Sequence, residues 1–148
     1  MEKLNVTNCG LPQLYSMLQM KFSKVFHLNL VNTNFTKKFF DKETKIEEIV
    51  VDYVIDMEME DLPFQKIPRL RKIDLSWSGS SSFVLKKDAL ADIPHSTHLT
   101  IRSSNIEMLP DTLFKNSTNV QHVDFNHNGI KHVPSAIFKN LNKLQTIN

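Results

Sequence analysis

Apolar residues recur at a fixed spacing toward the C-terminal end of the sequence, and this repeat constrains the fold more than any other feature. One copy has its apolar residues at Leu99, Ile101, Ile106, Leu109-Pro110 and Phe114. The same pattern returns 24 residues later at Val123, Phe125, Ile130, Val133-Pro134 and Phe138. A period of this length predicts one small structural unit per repeat, with the units stacked so that neighbours bury a common core.

Weaker copies of the pattern precede these two. Strand-like apolar cores occur at Leu4 and Val6, at Leu28 and Leu30, at Ile49 and Val51, and at Ile73 and Leu75. Repeats therefore start near residues 1, 25, 46, 70, 96 and 120, and a truncated seventh occupies 144–148. We expect residues 1–148 to form a single repeat domain, with insertions and deletions placed after each strand, where a solenoid tolerates them.

The spacing within each copy has a physical cause. Residues two apart, such as Val123 and Phe125, point to the same side of a strand, and strands of successive repeats then stack in parallel. Asn128 lies where the chain leaves its strand, and its amide can satisfy backbone groups of neighbouring turns. Cys9 holds that place in the first copy and is interpreted as a buried residue. Val54 and Ser78 are poorer substitutes, so irregular turns are expected there.

These residues resemble the leucine-rich repeat, in the 24-residue class of extracellular animal proteins such as Toll-type receptor ectodomains and insect leucine-rich repeat immune proteins. The resemblance is closest over 96–148, looser over 1–35 and 62–76, and weakest over 36–61 and 77–95. It implies an α/β leucine-rich repeat solenoid, a right-handed horseshoe. Its concave face would carry a short-stranded parallel sheet and its convex face irregular or short helical turns. It also implies a non-enzymatic module that recognises a macromolecular ligand by its concave face.

The resemblance bears on the origin of the chain. No cysteine-rich caps and no signal peptide occur, so a fragment of a longer extracellular protein, secreted or membrane-anchored through its parent, is expected. Asn5, Asn34 and Asn116 begin glycosylation sequons. They are candidate glycosylation sites of an extracellular innate-immunity or receptor-type protein. A cytoplasmic adaptor or regulator that binds an intracellular protein is the alternative.

The outward side chains of the predicted strands define a candidate ligand-binding face. Its candidate contact residues are Tyr53, Trp77, Asp74, His98, Thr100, Arg102, His122, Asp124 and Asn126. Aromatic residues such as Tyr53 and Trp77 often anchor protein interfaces, but they are equally compatible with packing over the irregular loops of their repeats. His98 and His122 would be neighbours, either as ordinary solvated residues, as a pH-sensitive pair, or as metal ligands with Asp74 and Asp124.

Other functions find little support in the sequence. The acidic run at 56–61 lacks the spacing and glycine of a calcium loop, and the serine-rich stretch at 78–82 lacks nucleophile-elbow spacing. The formal net charge of +2 gives no reason to propose nucleic acid, and no apolar run is long enough to insert in a bilayer. We therefore expect no enzyme activity, cofactor or metal. The expected partner is a protein ligand or a partner ectodomain, and a homodimer or heterodimer is compatible with this reading.

Overall fold

Seven short strands form the framework of the part of the chain that the structure describes. The structure, a computed structural model, describes residues 3–8, 27–31, 45–52, 64, 67–76 and 85–148. The strands are β1 (Lys3–Thr7), β2 (His27–Val31), β3 (Glu48–Asp52), β4 (Lys72–Ser76), β5 (His98–Arg102), β6 (His122–Asp124) and β7 (Thr146–Ile147). They form one sheet in the order of the sequence, and every neighbouring pair is parallel.

The register of the sheet aligns equivalent residues of successive repeats. Lys72 pairs with His98, His98 with His122, and His122 with Thr146. Because each repeat returns the chain to the same side, a parallel neighbour is reached without a long crossover helix. The predicted solenoid of stacked coils with a parallel sheet is therefore confirmed. In the last two complete repeats the described return segments, such as 111–116, are turns rather than α-helices.

The core lies behind the sheet, between the strands and the return segments. Alternate strand residues point into it, and Ile101 and Val123 are fully buried. Phe114 fills the core from the return segment, with its ring centroid 6.5 Å from that of Phe125 and 6.1 Å from that of Phe138. Inward strand residues thus line one side of a continuous core, and apolar residues of the return segments line the opposite side.

An asparagine side chain inside the stack connects the repeat of β6 to the repeat of β5. Asn128 Oδ1 accepts the backbone N–H groups of Ser104 at 2.9 Å and Ile106 at 3.2 Å. Its Nδ2 donates to the carbonyls of Ile101 at 2.7 Å and Phe125 at 2.8 Å. The predicted role of this asparagine is confirmed, since its one amide satisfies backbone groups of two successive turns.

Serine provides a second set of connections that the sequence did not predict. Buried Ser117 donates to the Leu90 carbonyl at 2.7 Å and accepts the Ile93 N–H at 3.2 Å. Ser96, also buried, donates to the Leu70 carbonyl at 3.0 Å. Because these backbone groups lie where water has little access, the hydroxyls replace hydrogen bonds that the irregular turns cannot make themselves.

Left-handed backbone marks the ends of several strands and return segments. Asn8, Ser103 and His127, which occupy equivalent positions after β1, β5 and β6, have φ values of 52°, 53° and 58°. Asp92 and Asn116, 24 residues apart on the return side, have φ values of 54° and 65°. Most of these residues are Asn or Asp, which tolerate this conformation better than other side chains with a Cβ. Among the described residues, no helix is long and apolar enough to cross a membrane.

Candidate ligand-binding face

The outward side chains of β4 to β7 form a polar face whose rows are set by the strand register. The first row contains Lys72, His98, His122 and Thr146, and the second contains Asp74, Thr100 and Asp124. Inward residues between the rows, such as Leu99, are buried. The sheet therefore fixes the spacing of these polar groups before any ligand arrives, which reduces the ordering cost of binding.

The imidazole rings of His98 and His122 are stacked on adjacent strands. Their centroids are 4.3 Å apart and their planes differ by 29°. His98 Nδ1 lies 2.9 Å from Thr97 Oγ1, and His122 Nδ1 lies 2.7 Å from Thr146 Oγ1. Each ring is thus held by a hydroxyl as well as by the other ring, so the pair is oriented rather than freely rotating in solvent.

The hydrogen bonds around Thr97 indicate the tautomer of His98. The Arg71 carbonyl already accepts the backbone N–H groups of Thr97 at 2.8 Å and His98 at 3.1 Å. A third donation from the Thr97 hydroxyl is longer, at 3.3 Å. Because a carbonyl oxygen has two lone pairs, the hydroxyl proton is better placed on the shorter bond to His98 Nδ1. The neutral ring then carries its proton on Nε2.

The surroundings of His98 favour this neutral form. The pKa of His98 lies below its ordinary value of 6.5, first because burial disfavours the charged ring. The positive charges of His122 and Lys72 lower the pKa further, while Glu48 acts in the opposite direction. The position of His98 in the stack therefore favours its uncharged form.

An ion pair lies beside the histidine stack. Arg102 Nε donates to Asp124 Oδ2 at 2.9 Å, and Nη2 donates to the same oxygen at 2.5 Å. Asp124 Oδ1 accepts the backbone N–H of Asn126 at 2.9 Å. The Asp124 side chain is 11% exposed and that of Arg102 is 51% exposed. Asp124 is therefore an internal support for Arg102, whose outer edge remains accessible to a partner.

The protonation of the ion pair follows from these contacts. Burial acts to raise the pKa of Asp124, but the hydrogen bonds from Arg102, Asn126 and Asn148 and the charge of Arg102 outweigh it. The pKa of Asp124 consequently lies below its ordinary value of 3.8. The same hydrogen bond, together with the charge of Asp124, raises the pKa of Arg102 above its ordinary value. Each group therefore favours the charged form of the other.

The structure describes seven of the nine predicted contact residues and places them on three neighbouring strands or just after them. His98, Thr100, Arg102, His122, Asp124 and Asn126 lie on or directly after β5 and β6, and Asp74 lies on β4. Tyr53 and Trp77 lie outside the described residues, as do the acidic run at 56–61 and the serine-rich stretch at 78–82. The described part of the face is therefore centred on the two histidines and the ion pair.

The glycosylation sequons occupy different parts of the molecule. Asn116 is exposed on the return side, and its Nδ2 donates to Asp92 Oδ1 at 2.7 Å. Asn5 is exposed in β1, and Asn34 lies outside the described residues. A glycan on Asn116 would leave the polar rows of β5 and β6 free, whereas one on Asn5 would extend from the sheet.

Metal binding finds no geometric support in the part of the chain that the structure describes. No group of three or more histidine, cysteine, aspartate or glutamate side chains is arranged there to hold a metal ion. Asp124 already accepts hydrogen bonds from Arg102 and Asn126. The carboxylate of Asp124, one of the two proposed to join the histidines, is thus engaged in other contacts.

Several contacts of the candidate face could not be recognised from the repeat pattern. The pattern aligned Arg102 and Asp124 to neighbouring rows but gave no sign that their side chains pair diagonally across the strands. It also did not single out Thr97 or Thr146 as partners of the histidines. Only the paired positions of His98 and His122, 24 residues apart, signalled their contact in advance.

Comparisons with known proteins agree with this architecture. Residues 84–148, somewhat less than half of the chain, match the family model for the leucine rich repeat. No curated protein matches the sequence significantly. Among solved structures, the chain resembles a chain of the Toll–Spätzle complex, with a TM-score of 0.65 and 15% sequence identity. That complex is described as a molecular hub in Drosophila development and innate immunity. That likeness covers 99% of this chain but 26% of the other.

Proposed function

We propose that this chain, a leucine-rich repeat solenoid, is a non-enzymatic module that binds another protein through its concave face, at the side chains of β4 to β7 that point away from the core. The observation that carries the proposal is the fixed arrangement of the His98–His122 stack beside the Arg102–Asp124 ion pair. Rigid polar groups of this kind, with an arginine edge and imidazole rings, provide directional contacts at little entropic cost. The leucine-rich repeat fold supports a binding role, and a partner in the structural relative's complex is itself a protein.

A binding screen with matched variants tests the role of this face. The full chain is presented to a displayed panel of secreted and cell-surface proteins, and hits are measured again with Thr100→Arg and Lys139→Glu. Thr100 lies in the centre of β5, whereas Lys139 is exposed on a return segment. Thr100→Arg should weaken binding by about tenfold or more, as expected for a central interface position, and Lys139→Glu should not. Hits sensitive only to Lys139→Glu would show that the face is wrongly assigned.

We further propose an extracellular location in a receptor-type or innate-immunity protein. The sequons at Asn5, Asn34 and Asn116, together with the likeness to the Drosophila complex, support it. Mass spectrometry of the protein from its own host, before and after enzymatic release of N-glycans, should detect a glycan at Asn116, and Asn116→Gln should abolish it. Unmodified sequons throughout would instead favour the cytoplasmic adaptor.

The kind of partner also determines which oligomers this chain would form. We propose a protein ligand or a partner ectodomain, in a homodimer or heterodimer, and no role for nucleic acid. Light scattering of the full chain, alone and with a confirmed hit, gives the stoichiometry directly. A nucleic-acid-binding function would show itself as binding that falls steeply with salt concentration.

A further inference from the structure

The Asn128–Gly129 junction is the only Asn–Gly pair in the sequence, and it lies in the turn that follows β6. The backbone nitrogen of a residue can attack the side-chain carbonyl carbon of an asparagine that precedes it. Glycine hinders this attack least, because it has no Cβ and its backbone is the most freely rotating. The junction is therefore the position in this chain at which spontaneous deamidation proceeds most readily when the backbone is free.

The reaction needs only water as a second reactant. The Gly129 nitrogen forms a bond to Asn128 Cγ, and the bond between Cγ and Nδ2 breaks. The proton of the Gly129 N–H leaves with Nδ2 as ammonia, which gives a five-membered succinimide. Water then opens the ring at either carbonyl to give isoaspartate or aspartate, and no atom is oxidised or reduced.

The folded repeats hold this amide in place from both ends. Its oxygen accepts hydrogen bonds from Ser104 N–H and Ile106 N–H, and its nitrogen donates to the Ile101 and Phe125 carbonyls. Attack makes Cγ tetrahedral and expels Nδ2, so the hydrogen bonds of the planar amide to the turn after β5 would have to break. Backbone groups there would then be left unsatisfied.

We propose that Asn128–Gly129 is a latent deamidation site that the packing of the last repeats keeps unreactive, and that modification there permanently separates the turn after β5 from the turn after β6. The rate then reports how often the two turns open. The product cannot restore the closed arrangement. An ionised carboxylate only accepts hydrogen bonds, so it would face the carbonyls of Ile101 and Phe125 without a proton to share. Isoaspartate would also lengthen the backbone at this point.

The experiment compares the rate of modification in folded and unfolded chains. The full chain is incubated near neutral pH in buffer and in concentrated urea, and the peptide containing residues 126–131 is assayed by mass spectrometry for loss of the amide and for isoaspartate. Modification in buffer should be slower by about tenfold or more, because opening must precede reaction. Equal rates in the two solutions, with the chain folded in buffer by circular dichroism, would overturn the proposal.

Gly129→Ala is the matched control for the chemistry. A Cβ at position 129 would lie 3.9 Å from its nearest heavy atom, the Ile106 carbonyl oxygen, and Gly129 does not have a positive φ. The variant should therefore fold like the original chain while reacting much more slowly in urea. If Asn128 is modified equally fast in urea with alanine at 129, the junction is not the reactive element.

Asn128→Asp tests the structural consequence separately. This variant carries the aspartate product without the preceding chemistry, and backbone amides of residues 104 and 106 should exchange with solvent faster than in Gly129→Ala. Chromatographically isolated, aged original chain should show the same faster exchange. Unchanged exchange in both samples would refute the claim that modification separates the turns.

Discussion

Replacing Ser117 by alanine should destabilise the protein by about 2–4 kcal/mol. The serine is fully buried and serves two backbone groups of the preceding repeat, the Leu90 carbonyl at 2.7 Å and the Ile93 N–H at 3.2 Å. Alanine has almost the same volume, so the cost arises from the two groups left without partners rather than from a cavity. A buried unsatisfied group costs about 1–3 kcal/mol. Taking about 1–2 kcal/mol for each of the two backbone groups gives a loss of about 2–4 kcal/mol.

The loss can be measured in two independent ways. Urea unfolding followed by circular dichroism gives the free energy, with Ser135→Ala as the control, because Ser135 is exposed on a return segment and should change stability by less than about 0.5 kcal/mol. Hydrogen exchange should show the largest local change at the Ile93 amide. If Ser117→Ala matches the control in stability and leaves Ile93 equally protected, hydroxyl bridging between repeats is not a stabilising feature here.

Three further perturbations follow from the same contacts. The pKa of His98 is lower in the folded protein than its ordinary 6.5, so the unfolded chain binds more protons in acid. The free energy of unfolding should therefore fall as the pH drops below about 6.5. Urea unfolding at a series of pH values should show a smaller fall in His98→Gln. Arg102→Gln should raise the pKa of Asp124, measured by NMR titration, and unchanged titration would refute the ion pair. Phe114→Ala should lower the free energy of unfolding by about 3–5 kcal/mol. Phe138→Ala should lower it less, because Phe138 is only partly buried.

The repeat pattern predicted the sheet accurately because register is encoded in the spacing. Side chains alternate across a strand, so burying one set of residues fixes which positions of successive repeats lie side by side. The pairing of His98 with His122, and of Lys72 with His98, therefore follows from the sequence alone. Asn128 could be placed by the same reasoning, since an amide at the end of a strand has donors and acceptors within reach on both sides.

The pattern was less informative about the candidate binding face. It placed Asp124 in an outward row, and the residue was interpreted as a ligand contact. The structure shows that its carboxylate is largely buried, under the guanidinium of Arg102. Long side chains select among several partners within reach, and the choice depends on neighbours from two strands at once. The spacing of apolar residues contains no information about that choice.

The sequence by itself determined the solenoid, the parallel order of the strands and the rows of outward residues, because a period in apolar residues dictates which backbone segments must stack. Only the tertiary structure decided which polar groups support one another within those rows. The stacked imidazoles, the diagonal ion pair and the buried serine hydroxyls all join residues 22 to 27 positions apart. Their partners meet only after neighbouring repeats have packed, where side-chain length, burial and charge together select each contact.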